Sequence, residues 1–325
     1  MKNFIYLFVI IFTLSSCEDS GNSGKRTLSS SSGNINNLTV VVNNDLWEAS
    51  VGETIRNILA APIDGLPQEE PLFSIGQMPT AVFSDFTTKG RIILKIEKGK
   101  DANIKFAENV FARPQKVVVV TGKTNPEINK ILNDNASKII SVFKNAEITE
   151  KQRRIKKSLS NSDVVEKGFN ATLDIPSVYR VAKEEKGFLW LRKDIKTGTT
   201  NIMIYEIPID AISKSENTIS EIIKIRDSVG KVHIPGPTEG SYMITEKAYR
   251  PSLYKTIVDN KPTFQTKSTW EVENAFMAGP FANYAIEDKT NNRYLVIEGF
   301  AFAPSVQKRD YMFELEAIIR SLKIK

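Results

Sequence analysis

The chain has 325 residues, 41% hydrophobic and 25% charged, with a formal net charge of +6. Those fractions are ordinary for a globular protein, and so small a charge excess leaves no nucleic-acid footprint. One cysteine and one histidine exclude a disulfide framework, a cysteine-based zinc site and a multi-histidine metal site, so no cofactor or metal is expected.

The first segment, MKNFIYLFVIIFTLSSC, has a basic start at Lys2, a short apolar core from Phe4 to Leu14, and small residues before Cys17. That is the layout of a secretory signal. Ending it at a cysteine resembles a bacterial lipoprotein signal, in which Cys17 takes lipid on its sulfur and becomes the mature N-terminus. Residues 1–16 are therefore expected to be cleaved. A lipid with more than one buried chain suffices for stable anchoring, and no later run approaches the roughly 18 apolar residues of a membrane span. This implies an outer-membrane lipoprotein of the cell envelope, with the periplasmic and surface faces both open. Residues 17–37, rich in Ser, Gly and Asn, read as a flexible tether. Glu18-Asp19 reads as solvated tether charge, or as an acidic sorting signal for surface export.

Folded structure is expected from Leu38, where a β-branched run to Val42 predicts a strand. Val51, Ile55, Ile58 and Leu59 follow at helical spacing. The segment 65–71 is bracketed by Pro67 and Pro71, which force an extended path. Strands are expected around 72–84, at 91–96 and at 117–120, the last apolar throughout and so covered on both faces. Thr124-Asn125 with Pro126 marks a helix start. Thr149 with Gln152 reads as a capping box that restarts the helix, ahead of the basic run Lys151, Arg153, Arg154, Lys156 and Lys157.

In the second half, strands are expected at 169–175, 188–192 and 202–207, then a helix at 216–228. A long loop with Pro235 and Pro237 follows, its tip read as mobile. The segments 281–286 and 293–302 are expected to pair as a hairpin, followed by a last helix at 307–322 with Tyr311, Leu315, Ile318, Ile319 and Leu322 inward. Strands in hairpin order with helices between them predict an α+β fold. Two subdomains are expected, 38–165 and 166–325, each a largely antiparallel sheet packed against helices.

Several segments together resemble a family of uncharacterised envelope lipoproteins of Bacteroidota, a domain of unknown function. They are the lipid signal, Trp47, Gly65–Pro71, Ala278–Phe281, Gly299–Pro304 and Lys308–Ala317. The resemblance implies the envelope address and one shared architecture, and it carries over no active residues.

Chemistry is sparse. Gly122-Lys123-Thr124 follows a strand and precedes a helix, but a phosphate loop needs a glycine where Val117 stands. His233 lies between apolar neighbours and reads as a packed side chain rather than a general base. Carboxylate pairs remain the one catalytic option: Glu69 and Glu70 in a rigid, exposed segment, Glu271 and Glu273 on a strand, and Glu314 and Glu316 on the last helix. Glycoside cleavage needs two such groups facing across a cleft. The basic run at 151–157 reads as a solvated helix face, or as contact with anionic lipid headgroups. Gly279-Pro280-Phe281, Trp270 and Tyr284 read as core, or as an aromatic wall for a sugar or peptide. Asp227-Ser228-Val229 matches an envelope O-glycosylation tripeptide. The expectation is a non-catalytic, lipid-anchored binding or assembly protein. Its partners are the membrane through Cys17 and an envelope protein or glycan, with no nucleic acid; the alternative is a carboxylate-dependent envelope enzyme acting on glycan or peptide.

Overall fold

A computed structural model describes residues 28–161 and 163–325. The lipidation candidate Cys17, residues 1–16 and Glu18-Asp19 lie outside the described residues. In chain order the elements are β1 (Ser29–Ser30), β2 (Asn37–Val41), α1 (Asn44–Trp47), α2 (Ser50–Leu59), β3 (Ser74–Met78), β4 (Ile92–Lys98), β5 (Asn103–Glu108), β6 (Ala112–Arg113) and β7 (Lys116–Gly122). Three helices follow, α3 (Asn125–Asp134), α4 (Ala136–Ile155) and α5 (Asp163–Phe169). The second half holds β8 (Ala171–Thr172), β9 (Arg180–Glu185), β10 (Phe188–Ile195), β11 (Gly198–Pro208), α6 (Thr218–His233), β12 (Met243–Thr245) and β13 (Ser252–Val258). It closes with β14 (Lys261–Val272), β15 (Ala275–Asp288), β16 (Arg293–Phe302), α7 (Arg309–Ile319) and β17 (Lys323–Ile324). The fold is α+β.

The first sheet has the order β3-β2-β4-β7-β5. Here the expected hairpin order is corrected: β3, β2, β4 and β7 run parallel, and only β5 is antiparallel, at the edge. The cause is the crossover between β2 and β3 through α2, which returns the chain to the same end of the sheet. Val40, Leu94, Val118 and Val120 point into one core with Ile55, Leu59, Ile128 and Phe143 of the helices. Val41, Ile93 and Val117 fill a smaller cluster on the opposite face, with Met78 and Phe83. The start signal at Thr124 works as read: its hydroxyl accepts from the Glu127 amide.

Residues 29–37, assigned above to a flexible tether, pack on this sheet. β1 pairs with β6, and Arg91 donates to the carbonyl oxygens of Gly33 and Asn34. The buried Asn36 amide donates to Glu147 at 2.6 Å. Polar composition hid these bonds, because the stretch enters them through its own backbone groups.

No helix restarts at Thr149. Its hydroxyl donates to the Asn145 carbonyl within an unbroken α4, and the break falls at Asn135, whose side chain bonds back to Ile131. α4 joins the two halves. Ile139 and Phe143 pack in the first core, whereas Ile148 and Ile155 belong to the core of the second half. Residues 163–169 are helical, where a strand was expected from Phe169; only Ala171–Thr172 pairs, with β17.

The second sheet is antiparallel, in the order β12-β14-β15-β16-β11-β10-β9, with β13 beside β14. The expected hairpin is β15–β16, with Phe281 opposite Phe300 and Asp288 opposite Arg293. Strand alternation sends Leu189, Ile204, Tyr284 and Ile297 toward α7. It sends Phe188, Met203, Phe281 and Val296 toward α6. Gly299 permits the first packing, since a Cβ there would sit 2.8 Å from the Cβ of Leu315. β9 closes one edge with mostly exposed side chains.

Helix α6 buries Thr218, Ile222, Arg226 and Gly230, one turn apart. Arg226 is fully buried and reaches Glu298, also fully buried, at 2.9–3.1 Å through Nε and Nη2. Asn283 donates to the same carboxylate at 2.9 Å. The guanidinium also bonds Asp227 and Thr245, and its carbon lies 3.9 Å from the centre of the Phe281 ring. Burial pushes the Glu298 carboxyl pKa up, against the pull of Arg226.

Candidate functional site

The face of the second sheet that α6 covers is left open beyond the helix C-terminus. Trp190 and Arg192 on β10, Thr199 and Asn201 on β11, Phe300 and Phe302 on β16, and Trp270 on β14 line a cleft there of about 250 Å³. Register brings them together: Arg192 is opposite Asn201, which is opposite Phe300, and Thr199 is opposite Phe302. The loop after α6 supplies a lip through Pro235 and Pro237. That loop, its tip read above as mobile, is tied at its base by a bridge between Pro235 and Tyr242 and by the Gly236 amide donating to the Ser241 carbonyl.

Hydrogen bonds fix the aromatic walls. The Trp190 indole donates to Asn201 Oδ1 at 3.0 Å, and Asn201 Nδ2 donates to Thr199 Oγ1 at 3.0 Å. The Trp270 indole donates to the Ala301 carbonyl at 3.3 Å, and its ring meets Phe300 edge to face at 5.8 Å. Gly279 makes this approach possible, because a Cβ there would lie 2.0 Å from the Ala301 oxygen and 3.1 Å from the Trp270 indole nitrogen. Trp190, Met277 and Phe302 are half-buried, so part of each reaches solvent. The cleft offers ring faces beside amide, hydroxyl and guanidinium groups.

The residues read above as core, or as an aromatic wall, divide between the two. Phe281 and Tyr284 are buried on opposite faces of the sheet, whereas Trp270 does line the cleft. Trp190, Phe300 and Phe302 were missed. The signal was present as period-2 alternation, which puts Phe188 with Trp190 and Phe300 with Phe302 on one face.

The catalytic candidates are not brought together. Glu69 is exposed. Glu70, expected in an exposed segment, is buried: its two oxygens accept from the amides of Lys308 and Arg309 at 2.7 and 2.9 Å. It caps the start of α7, where the helix dipole favours negative charge. The prolines shape a docking arm whose carboxylate serves another element. Glu271 sits in β14 opposite Ala278, and Glu273 lies past the strand end. Glu314 is held by Lys151 and Lys193, and Glu316 by Lys144 at 2.8 Å; those cations pull both carboxyl pKa values down against burial.

The remaining motifs have structural employment. His233 stacks on Phe188 at 4.0 Å, with Nδ1 2.9 Å from a Glu185 oxygen; burial lowers its pKa, and Lys183 adds to the effect. Gly122 lets the Ile128 side chain approach, since a Cβ would meet it at 2.8 Å. The basic run is partly neutralised, since Arg153 and Arg154 share one carboxylate and Lys151 shares Glu314 with Lys193. Lys151 pairs with Glu314, while Arg153 and Arg154 pair with Glu150 at 2.7 Å, holding its pKa down to about 2, chiefly through the Arg153 hydrogen bond. Asp227 is committed to the Thr245 amide and hydroxyl, and exposed Ser228 bonds within its own helix.

Among the described residues, no helix is long and apolar enough to cross a membrane. No curated protein matches the chain. The crystal structure of LpqN, described as involved in cell envelope biogenesis of Mycobacterium tuberculosis, is similar at a TM-score of 0.29 and 10% identity, over 48% of this chain and 83% of that one. A family described as Domain of unknown function (DUF8532) matches residues 31–156. A second family profile matches residues 158–321, half of the chain, and the protein belongs to that family, Domain of unknown function (DUF4837).

Proposed function

We propose that this protein is a lipid-anchored component of the cell envelope, held by lipid on Cys17, whose folded part binds a glycan without catalysing a reaction. The observation that supports this reading is the cleft, where half-exposed Trp190 and Phe302 share a wall with Asn201, Thr199 and Arg192. A sugar ring presents apolar C–H faces and a hydroxyl edge, and that wall offers a partner for each. The volume is below the usual range for drug-sized ligands, roughly 300–1,000 Å³, and suits one ring of a longer chain. The carboxylates favour binding over catalysis, because Glu70, Glu314 and Glu316 are already committed to structural bonds.

Titrating the detergent-solubilised protein with soluble peptidoglycan fragments should quench tryptophan fluorescence saturably. Trp190→Ala should weaken that binding about tenfold, equivalent to about 1.4 kcal/mol, measured at a temperature where the variant, destabilised by the loss of its packing and of the bond to Asn201, is still folded. Equal affinity in the variant would sink the assignment, and saturation by a peptide instead would reassign the cleft. For the anchor, Cys17→Ser should abolish incorporation of labelled palmitate and move the protein from the membrane to the soluble fraction. Retention of label in that variant would remove Cys17 from the reading.

A further inference from the structure

On the α7 face of the second sheet, opposite the aromatic cleft, a separate cavity of about 60 Å³ lies under the loop that begins at Ile63. Lys267 of β14 lines it. The residue keeps some exposed surface, yet it is packed about closely enough that burial pulls its pKa down. Its stem is covered by Gly65, which adopts φ +84° and approaches so closely that a Cβ would lie 2.9 Å from the Lys267 Cβ. Its neighbour on β15 is Ala282, whose small side chain leaves the space open.

The carboxylates around this ammonium are already engaged. Asp64 bonds the Tyr254 hydroxyl. Glu316 is paired with Lys144 at 2.8 Å and lies 3.6 Å from Arg320, while Arg309 is paired with Asp310. Among the described residues Lys267 has neither a carboxylate within ion-pair distance nor a hydrogen-bond acceptor; Glu316 and Asp64 act on it only from beyond contact, and the Tyr254 ring lies 5.6 Å away. With Arg309 and Asp310 cancelling, Lys144, Lys267 and Arg320 face only Glu316 and Asp64, which leaves one positive charge in excess.

An ammonium with no counter-charge in contact and little of its surface left to water is costly. It is relieved by losing its proton or by taking an anion. The cavity has room for the second solution: a water needs about 10–15 Å³ of such space, so the cavity equals about four to six waters, the size of a small acid. Its remaining wall includes Leu66, Leu72, Met312 and Phe313, which suits an alkyl group and not a fully hydrated oxyanion. We propose that the Lys267 cavity binds a small monocarboxylate, with the carboxylate on the Lys267 ammonium and the alkyl end against these apolar side chains.

The test uses the full-length, detergent-solubilised protein and sodium acetate, with sodium chloride at equal ionic strength as reference. Acetate should raise the melting temperature saturably, by about 3 °C at ten times its dissociation constant. Acetamide, the neutral isostere, should have no effect, and Lys267→Met should abolish the acetate response. On the unaltered protein, difluoroacetate observed by ¹⁹F NMR should broaden and be displaced by acetate but not by acetamide. An equal response in Lys267→Met, displacement by acetamide, or stabilisation by phosphate in place of acetate would overturn the proposal.

Discussion

Replacing Arg226 with Met should cost about 3–5 kcal/mol of stability, read as a lower urea midpoint at unchanged slope. Among the described residues the arginine gives Glu298 its only charged partner within 3.1 Å, and both side chains are fully buried. Its removal strands a carboxylate under α6 and leaves the Phe281 ring without its cation. Combining Arg226→Met with Glu298→Gln should recover part of the loss, because the amide carries no charge and still accepts from Asn283. The pH dependence has a definite sign. Burial raises the Glu298 pKa above its ordinary 4.5, so the native state binds that proton more tightly than the unfolded chain does. The contribution of such a group is complete below the unfolded pKa and falls as pH rises through the folded one. Removing Arg226 raises the folded value further. The deficit of the variant should therefore narrow as pH is lowered toward 4.5 and widen above it; a deficit that stays constant from acidic to mildly alkaline pH would show that the charge of Glu298 is not what is stranded.

Glu70→Ala should cost about 3 kcal/mol, although it removes a residue that reads from sequence as a surface acid. Two backbone amides at the start of α7 lose their acceptor, and both are buried. Glu70→Gln should recover about half, since its single carbonyl oxygen can serve only one amide while its NH₂ faces the other. Glu69→Ala should change stability by less than about 0.5 kcal/mol, because that side chain is exposed. Comparing the three variants by urea denaturation separates a cap from a catalytic acid. A catalytic Glu70 would leave the Gln variant as stable as the parent.

Local signals in the sequence were reliable where one element decides its own structure. The Thr124 cap, the β15–β16 hairpin and the inward Leu315, Ile318 and Ile319 of α7 follow from capping chemistry and periodicity alone. Tyr311, by contrast, is only half-buried, and Phe313 takes the core position instead. Direction between strands is another matter. A β-branched run such as Thr39 to Val42 specifies a strand but not whether its neighbour runs parallel, and in the first sheet α2 sets that. Only the continuous apolar run at Val117–Val120 hinted at it, since strands buried on both faces lose alternation. Long-range polar bonds were the least legible. The Asn36–Glu147 contact spans 111 positions and Glu70–Lys308 spans 238, so nothing near either residue announces its partner. The cleft fell between these cases: each strand showed its aromatic alternation, but which faces coincide depends on register.

The outer edge of the second sheet has a bearing on the behaviour of the protein in company. Any open strand exposes unpaired amides and carbonyls that a neighbouring chain can use to extend the sheet. At β9 that row is flanked by exposed Arg180, Glu184 and Glu185, with Lys183 bonded to Glu185 at 3.2 Å and Arg180 to Asp194 at 3.3 Å. A strand arriving there would have to strip water from charges of both signs and would gain little apolar surface in return, Val181 being the one large apolar side chain exposed on the strand. The edge is thus a terminus by chemistry as well as by topology, and it protects against runaway association where many copies crowd together.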